Sequence, residues 1–232
     1  MSKKIDIVVV SYYYSEPKIY KMLNKFRSEG YKISIQKINI SSIDLDNDCM
    51  DMSQYAKIFS SNSDNILVLN DTLFKKIFWR TTLRSLLNVS EQYKNISGIP
   101  FMAGDLHRSG DLNMAYHYFG RHVSTYAFYC NKEAKDTFLN IYLTYSRQTL
   151  EELCQNTFHE LVWLRNFCEV NSRYTWAGKD TASVDLRLRK FRAIIIELEL
   201  SKLIFERGVI MDIKNTYKIR ILHKLRGILN AN

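Results

Sequence analysis

The chain has 232 residues, of which 46% are hydrophobic and 25% are charged. This length and composition suit one large folded domain and exclude a disordered or fibrous chain. Only 8 glycines and 2 prolines are present, which argues against a propeller or a many-turned sandwich and predicts long, largely helical elements.

The net charge of +9 is concentrated at the end of the chain. From Arg187 onward there are eleven Lys or Arg and four Asp or Glu, a balance of +7. A basic terminus predicts an anionic partner, either a phospholipid surface or a nucleic acid. No apolar run is long enough to span a membrane, and MSKKIDIVVVSYYY lacks the pattern of a signal peptide. We therefore expect a cytoplasmic protein.

The first part of the chain alternates between strand and helix patterns. The predicted strands are 5–10, 31–40 and 66–70, and the predicted helices are 15–30, 51–61 and 73–87. Ser15 and Gly30 are suitable caps for the first helix, and Ile77 belongs to the apolar positions of the third. This alternation predicts an α/β fold with a mostly parallel sheet covered by helices.

The second part of the chain is less regular. Residues 98–113, GIPFMAGDLHRSGDLN, hold three of the glycines and predict a loop, and 171–183 are expected to be irregular. The remaining predicted elements are strands at 123–130 and 208–213 and helices at 131–145, 150–170, 184–207 and 214–229.

Polar residues follow two of the predicted parallel strands, at the edge where such sheets bind ligands. Ser11–Tyr14 follow the first strand, and their tyrosines suit either stacking on a ligand or ordinary packing. Asn70–Thr72 follow the third strand. There, Asp71 suits either a divalent cation that neutralises phosphate or the cap of the next helix. No glycine-rich phosphate loop is present.

Glu197 lies on the apolar side of the predicted helix 184–207. On a helical wheel it points in the direction of Leu200 and Leu203, whereas Glu199 points to the opposite, polar side. A carboxylate on an inward face requires a partner or a function. It is therefore either a general base or a paired residue at the margin of the core.

Two further segments have two interpretations each. Asp105 and His107 in GDLHRSGD are either acceptor-binding residues or part of a solvated surface loop. His122 is either an acceptor-binding residue or a structural hydrogen-bonder. The segment 214–229 predicts a basic amphipathic helix, which either lies on an anionic membrane or docks on its own domain.

Four segments, in order, carry a resemblance to a known family. DIVVVSYYYSEPKIYKMLNKF resembles the opening of the family-2-type glycosyltransferases of the GT-A fold. ILVLNDTLF and HVSTYAFYCNKEAKDTF resemble the LTNDS and HLQSYFLVFNKKAL segments of the rhamnan-synthesis F family, a bacterial branch of those enzymes. IELELSKLIFERGVIM is similar to the YEIGLSKLLLEKG segment of that branch and to the family-2 helix EDxxLxxRLxxxG. The resemblance covers residues 5–145 and 190–213.

The resemblance implies a GT-A-like catalytic domain over 1–213, with 146–189 as a helical insert and 214–232 as a separate basic amphipathic helix. It implies inverting transfer of a hexosyl or deoxyhexosyl group from a nucleotide-sugar to a glycan acceptor, in synthesis of a bacterial lipopolysaccharide or capsule. Glu197 falls on the position of the catalytic base.

The resemblance also implies the ligand sites. The donor site is expected to comprise Ser11, Tyr12, Tyr13, Asn70, Asp71 and Thr72. Asp71 is expected to bind Mg²⁺ or Mn²⁺, although NDT offers one acidic residue where the family's DxD motif offers two. A lipid-linked acceptor is expected, with the basic helix holding the protein on the inner face of the cell membrane and no nucleic acid bound. The alternative is a non-catalytic basic module that binds a membrane or a nucleic acid.

Overall fold

A computed structural model of the protein describes residues 5–37, 51–61, 65–108, 121–149, 151–153 and 184–213. The helices are α1 (Glu16–Met22), α2 (Asn24–Ser28), α3 (Asp51–Ser61), α4 (Trp79–Tyr93), α5 (Lys132–Tyr145) and α6 (Val184–Arg207). The strands are β1 (Asp6–Ser11), β2 (Ile33–Lys37), β3 (Ile66–Asn70), β4 (Phe101–Arg108), β5 (Arg121–Cys130) and β6 (Val209–Asp212). A 3₁₀ turn, Asp71–Lys75, follows β3.

The described strands form a single sheet in the order β2-β1-β3-β5-β4-β6. Five of them run parallel, and β5 runs antiparallel to both of its neighbours, β3 and β4. The α/β fold with a mostly parallel, helix-covered sheet is therefore confirmed. The carboxyl ends of the five parallel strands lie at one edge, and β5 begins at that same edge.

Alternating side chains of the strands enter two cores, one on each face of the sheet. Val8, Val68 and Phe128 contribute to the core beneath α3, α5 and α6. Val9 and Leu69, with Leu83 from α4, contribute to the core beneath α1, α2 and α4. β1 and β3 are buried along their whole length, which is why their sequences are continuous apolar runs rather than alternating ones.

Two predicted helices differ from the structure. The helix predicted over 15–30 is divided at Leu23, whose backbone (φ −93°, ψ 5°) leaves the helical region between α1 and α2. The helix predicted over 73–87 begins only at Trp79, because the chain first makes the 3₁₀ turn. As a result Ile77 lies in the connection and is 76% exposed, instead of packing in the core.

The loop predicted at 98–113 is wrong over Phe101–Arg108, which is strand β4. Its Gly104 occupies a crowded place in the strand, since a Cβ there would lie 2.4 Å from the side chain of Val123. Gly208, which joins α6 to β6, is equally constrained, because a Cβ would lie 2.0 Å from the carbonyl oxygen of Pro100. Both glycines therefore permit close approach of the chain rather than marking loops.

Several predictions fall partly or wholly outside the described residues. These are the end of the strand at 31–40, most of the insert 146–189, the irregular stretch 171–183 and the basic helix within 214–232. The division of the chain into a domain, an insert and a terminal helix stays a prediction. Within the described ranges, no helix is both long and apolar enough to cross a bilayer.

Candidate active site

Asp71 is the anchor of the loop that follows β1. Its Oδ2 accepts hydrogen bonds from the Ser11 hydroxyl at 3.0 Å and from the backbone N–H groups of Tyr12, Tyr13 and Tyr14 at 2.9, 2.6 and 3.0 Å. The side chain is completely buried. One carboxylate oxygen therefore satisfies three main-chain donors and fixes the shape of residues 11–14 at the sheet edge.

The capping role considered for Asp71 belongs to Asn70. The Asn70 side-chain oxygen accepts from the Thr72 N–H at 2.9 Å and so caps the 3₁₀ turn. Its amide nitrogen donates to Asp51 at 3.0 Å. Asn70 thus bonds to α3, and the neighbouring Asp71 bonds to the loop after β1.

The described residues do not supply a metal site at Asp71. Oδ2 is already occupied by four donors, and Oδ1 is buried with no hydrogen-bond partner among the described residues. In the same part of the chain, no group of three His, Cys, Asp or Glu side chains is placed to hold a metal ion. The expected Mg²⁺ or Mn²⁺ stays a prediction, and no chemical step below is assigned to it.

Asp51, the first residue of α3, is a site residue that the sequence did not reveal. It accepts hydrogen bonds from the Tyr12 hydroxyl and from the Asn70 amide. Burial raises the pKa of Asp51; the hydrogen bond from Tyr12 and the charge of Lys190 oppose the rise, and the charge of Glu197 adds to it. An acidic residue in the first turn of a helix looks like an ordinary dipole partner in the sequence, which hides this role.

Glu197 is held by strand β5. Its Oε1 accepts from the backbone N–H of Thr125 at 2.9 Å and from the Thr125 hydroxyl at 3.1 Å. Its Oε2 makes no hydrogen bond within the described part of the chain. The inward direction predicted for Glu197 is confirmed, since its carboxylate bonds to β5 through one oxygen.

A second bond fixes α6 to the same strand one helical turn further on. The Ser201 hydroxyl donates to the Glu197 carbonyl at 3.0 Å and accepts from the Val123 N–H at 3.1 Å. Ser201 is buried. The register between α6 and β5 is therefore set by polar bonds at the Glu197 carboxylate and one helical turn beyond it.

Glu199 differs from its predicted, water-facing position. It is half-buried, and burial raises its pKa, with Lys202 opposing the rise and Glu206 adding to it. It lies near Tyr145 of α5, where its charge contributes to a raised tyrosine pKa. Glu199 therefore sits on the side of α6 that faces α5, away from β5.

The remaining predicted residues lie around the same sheet edge. Asp105 is buried and accepts from the Tyr126 hydroxyl at 2.5 Å; burial raises the pKa of Tyr126, and the Asp105 charge adds to the rise. Tyr126 packs in the core beneath α4, so the pair lies on the opposite face of the sheet from Glu197. The backbones of His107 and His122 pair with each other at the ends of β4 and β5.

The structure therefore links most of the predicted site through contacts. Tyr12 joins Asp71, through its N–H, to Asp51, through its hydroxyl. Asp51 lies close enough to Glu197 and Lys190 for their charges to alter its pKa. Thr125 and Asp51 were missed because each acts through partners that are distant in sequence.

Comparison with known proteins adds a structural similarity. No family model matches the chain, and no curated protein matches it significantly. Among solved structures, it is similar to a glycosyltransferase involved in the glycosylation of the major capsid of PBCV-1, at 12% identity and a TM-score of 0.35. The similarity covers 68% of this chain and 78% of that chain. At this identity and TM-score it carries no weight for function, which is proposed below from the side chains.

Proposed function

We propose that the protein is a glycosyltransferase that moves a hexosyl or deoxyhexosyl group from a nucleotide-sugar to a glycan acceptor. The observation that carries the proposal is the presentation of Glu197, with Oε1 fixed by Thr125 and Oε2 without a hydrogen bond from any described residue. A general base must be held in a defined direction and keep a free acceptor atom. The four family-like segments occur in matching order and support the same class.

In the proposed reaction the acceptor hydroxyl oxygen attacks the anomeric carbon of the donor. Its proton passes to Oε2 of Glu197 as the new glycosidic bond forms. The bond between the anomeric carbon and the phosphate oxygen breaks, and its electron pair leaves with the nucleoside diphosphate. Attack from the face opposite the leaving group inverts the anomeric centre.

The donor is proposed to bind at the loop shaped by Asp71. Ser11, Tyr12 and Tyr13 form this loop, and Asn70 and Thr72 continue the same edge on the next strand. Asp71 contributes by holding the loop, since its Oδ2 satisfies the N–H groups of residues 12–14. Of the residues expected on the acceptor side, His107 and His122 stay proposed, whereas Asp105 bonds to Tyr126 on the opposite face of the sheet from Glu197.

The biological setting follows from the same resemblance. We infer that the acceptor is lipid-linked and that the product belongs to a bacterial surface polysaccharide such as lipopolysaccharide or capsule. The basic segment 214–232 is proposed to hold the protein at the inner face of the membrane, where such acceptors are assembled.

The test measures release of free nucleotide across a panel of nucleotide-sugars for wild type, Glu197→Gln and the matched control Glu199→Gln. Both residues are half-buried glutamates of α6, but only Glu197 bonds to β5. We expect Glu197→Gln to lower kcat by about 100-fold or more while the donor still raises the Tm, and Glu199→Gln to keep near-normal turnover.

Two results would count against the proposal. Near-normal turnover in Glu197→Gln would show that Glu197 is not the general base. Absence of any donor-induced Tm shift, together with steeply salt-dependent binding to polynucleotides, would favour the non-catalytic basic module. Repeating the assay with EDTA tests the predicted divalent cation separately from both.

A further inference from the structure

A basic and aromatic surface lies beside the site on the face of the sheet covered by α1 and α4. We define this basic–aromatic patch by Tyr13, Lys18, Lys75, Ile77 and Arg80. Tyr13 is 59% exposed and Ile77 is 76% exposed, and both belong to the few large apolar side chains that are exposed in the described part of the chain. Lys18, Lys75 and Arg80 are also exposed.

Three cations of the patch lie on aromatic rings. The Lys75 Nζ lies 3.3 Å from the centroid of the Tyr13 ring, and the Lys18 Nζ lies 4.5 Å from that of Tyr14. The Arg80 guanidinium lies 4.8 Å from the Trp79 ring. Such contacts keep cationic groups close to apolar surface while leaving them accessible.

A row of aromatic side chains connects these contacts beneath the surface. The rings of Tyr14 and Phe74 are 6.2 Å apart, and those of Phe74 and Trp79 are 5.0 Å apart. Phe74 and Trp79 are buried in the core beneath α4. Lys18 and Arg80 therefore lie on the two ends of this aromatic row.

The charge of the patch selects an anionic partner. The two segments that build it, 13–18 and 75–80, carry four basic residues and one acidic residue, Glu16. An exposed isoleucine at the tip of a connection suits insertion into an apolar phase, whereas a nucleic acid offers no such phase. Positive charge combined with exposed Tyr and Ile matches the interface of an anionic bilayer.

We propose that the basic–aromatic patch docks the protein on an anionic phospholipid bilayer, with Ile77 entering the interface and Lys18 and Arg80 facing the headgroups. The same two segments follow β1 and β3, so docking here places the carboxyl edge of the sheet against the membrane surface. None of the residues that define the patch belongs to the basic segment 214–232. The proposal does not depend on the transferase assignment, because bilayer binding is measured without turnover.

The test is flotation of the full chain with phosphatidylcholine vesicles that contain or lack phosphatidylglycerol. The double variant Lys18→Glu, Ile77→Asp changes the patch. The matched double variant Lys132→Glu, Leu143→Asp makes the same chemical changes at an exposed lysine and an exposed leucine (63%) of α5, on the other face of the sheet. Circular dichroism and Tm establish that both variants are folded.

We expect wild type and the α5 variant to bind phosphatidylglycerol vesicles alike, and the patch variant to bind at least about tenfold more weakly. As a second readout, the fluorescence of Ile77→Trp should shift to shorter wavelength on those vesicles. The proposal is overturned if the patch variant binds as wild type does, since docking would then lie elsewhere, or if phosphatidylglycerol has no effect. Tighter binding to polynucleotides than to vesicles, weakened by the same variant, would also overturn it.

Discussion

Thr125 controls how the carboxylate of Glu197 is presented. It supplies two donors to the same oxygen, one from the main chain and one from the side chain. The main-chain donor is fixed by β5, whereas the hydroxyl donor restricts rotation of the carboxylate. A hydroxyl at position 125 therefore has a positioning role that differs from a role in stability.

Thr125→Val removes the hydroxyl and keeps the size and the main-chain donor. A single hydrogen bond to a charged group is worth about 1.5–3 kcal/mol, so we expect kcat to fall by about tenfold or more. The KM for the donor should change little, and Thr125→Ser should restore most of the rate. Steady-state kinetics on the three proteins makes the comparison, and an unchanged kcat in Thr125→Val would show that the main-chain bond alone suffices.

Asp51 gives a prediction about stability and pH. Because burial raises its pKa, the folded state binds the proton more readily than the unfolded state. Its contribution to the free energy of unfolding is therefore most favourable at low pH. That contribution is lost as the pH rises from the ordinary carboxyl pKa through the raised pKa of Asp51. At neutral pH the ionised carboxylate carries a penalty that an amide does not.

We therefore expect the Tm of Asp51→Asn, relative to wild type, to rise as the pH is raised from the acid range to neutrality. Asn retains an oxygen for the Asn70 amide, and its own amide can face the Tyr12 oxygen. Thermal unfolding at several pH values measures the difference in Tm between variant and wild type. The control is Asp136→Asn, at an exposed residue of α5. A difference that stays constant with pH would contradict the burial argument.

At the scale of elements, the contact between α6 and β5 holds the site together. In the buried interface between α6 and β5, the Ser201 hydroxyl accepts a hydrogen bond from the Val123 N–H. The same hydroxyl also donates to the carbonyl four residues earlier in its own helix, as that of Ser90 does in α4. Both serines are buried, and Ser90 lacks the strand contact, which makes it a matched control.

Ser201→Ala leaves the Val123 N–H buried without its partner. Such a loss costs about 1–3 kcal/mol, and for a chain of this size each kcal/mol lowers the Tm by about 2–4 °C. We expect Ser201→Ala to lower the Tm by several degrees and Ser90→Ala by far less. Differential scanning calorimetry tests this, and equal effects from the two variants would mean that the strand contact contributes nothing.

An element could be predicted from the sequence where a local residue pattern determines it, but not where contacts with distant segments do. β1 and β3 were predicted because buried parallel strands are continuous apolar runs. β4 was not, because Gly104 serves a close approach to Val123 and in the sequence looks like a turn residue. The start of α4 was misplaced because the cap from Asn70 ends the strand in a 3₁₀ turn first.

The candidate site was predictable to a similar, partial extent. The period of α6 gave the direction of Glu197, since that depends on neighbours in the same helix. Its anchor at Thr125 is 72 residues away, and the Tyr12 bond to Asp51 spans 39 residues. Contacts between distant segments leave no periodic signal, so these partners emerged only from the folded chain.

At the scale of the whole molecule, the sheet consists of two halves that meet at one seam. β2, β1 and β3 come from the first 70 residues, and β5, β4 and β6 from residues 101–212. The halves join where β3 pairs with β5, over four residue pairs from Ile66–Cys130 to Leu69–Ala127. The cluster of Tyr12 and Asp51 belongs to the first half, and the cluster of Thr125 and Glu197 to the second.

We expect the candidate site to form late in folding, because the seam joins distant parts of the chain. A nascent chain that has emerged only through Asp71 carries the loop after β1 but has no Glu197, and the second half alone has the proposed base but lacks the proposed donor loop. Contacts of such long sequence separation form after local ones, because closing the intervening chain is costly in entropy. Each partly folded form therefore lacks one half of the proposed site, which is complete only after β3 has paired with β5.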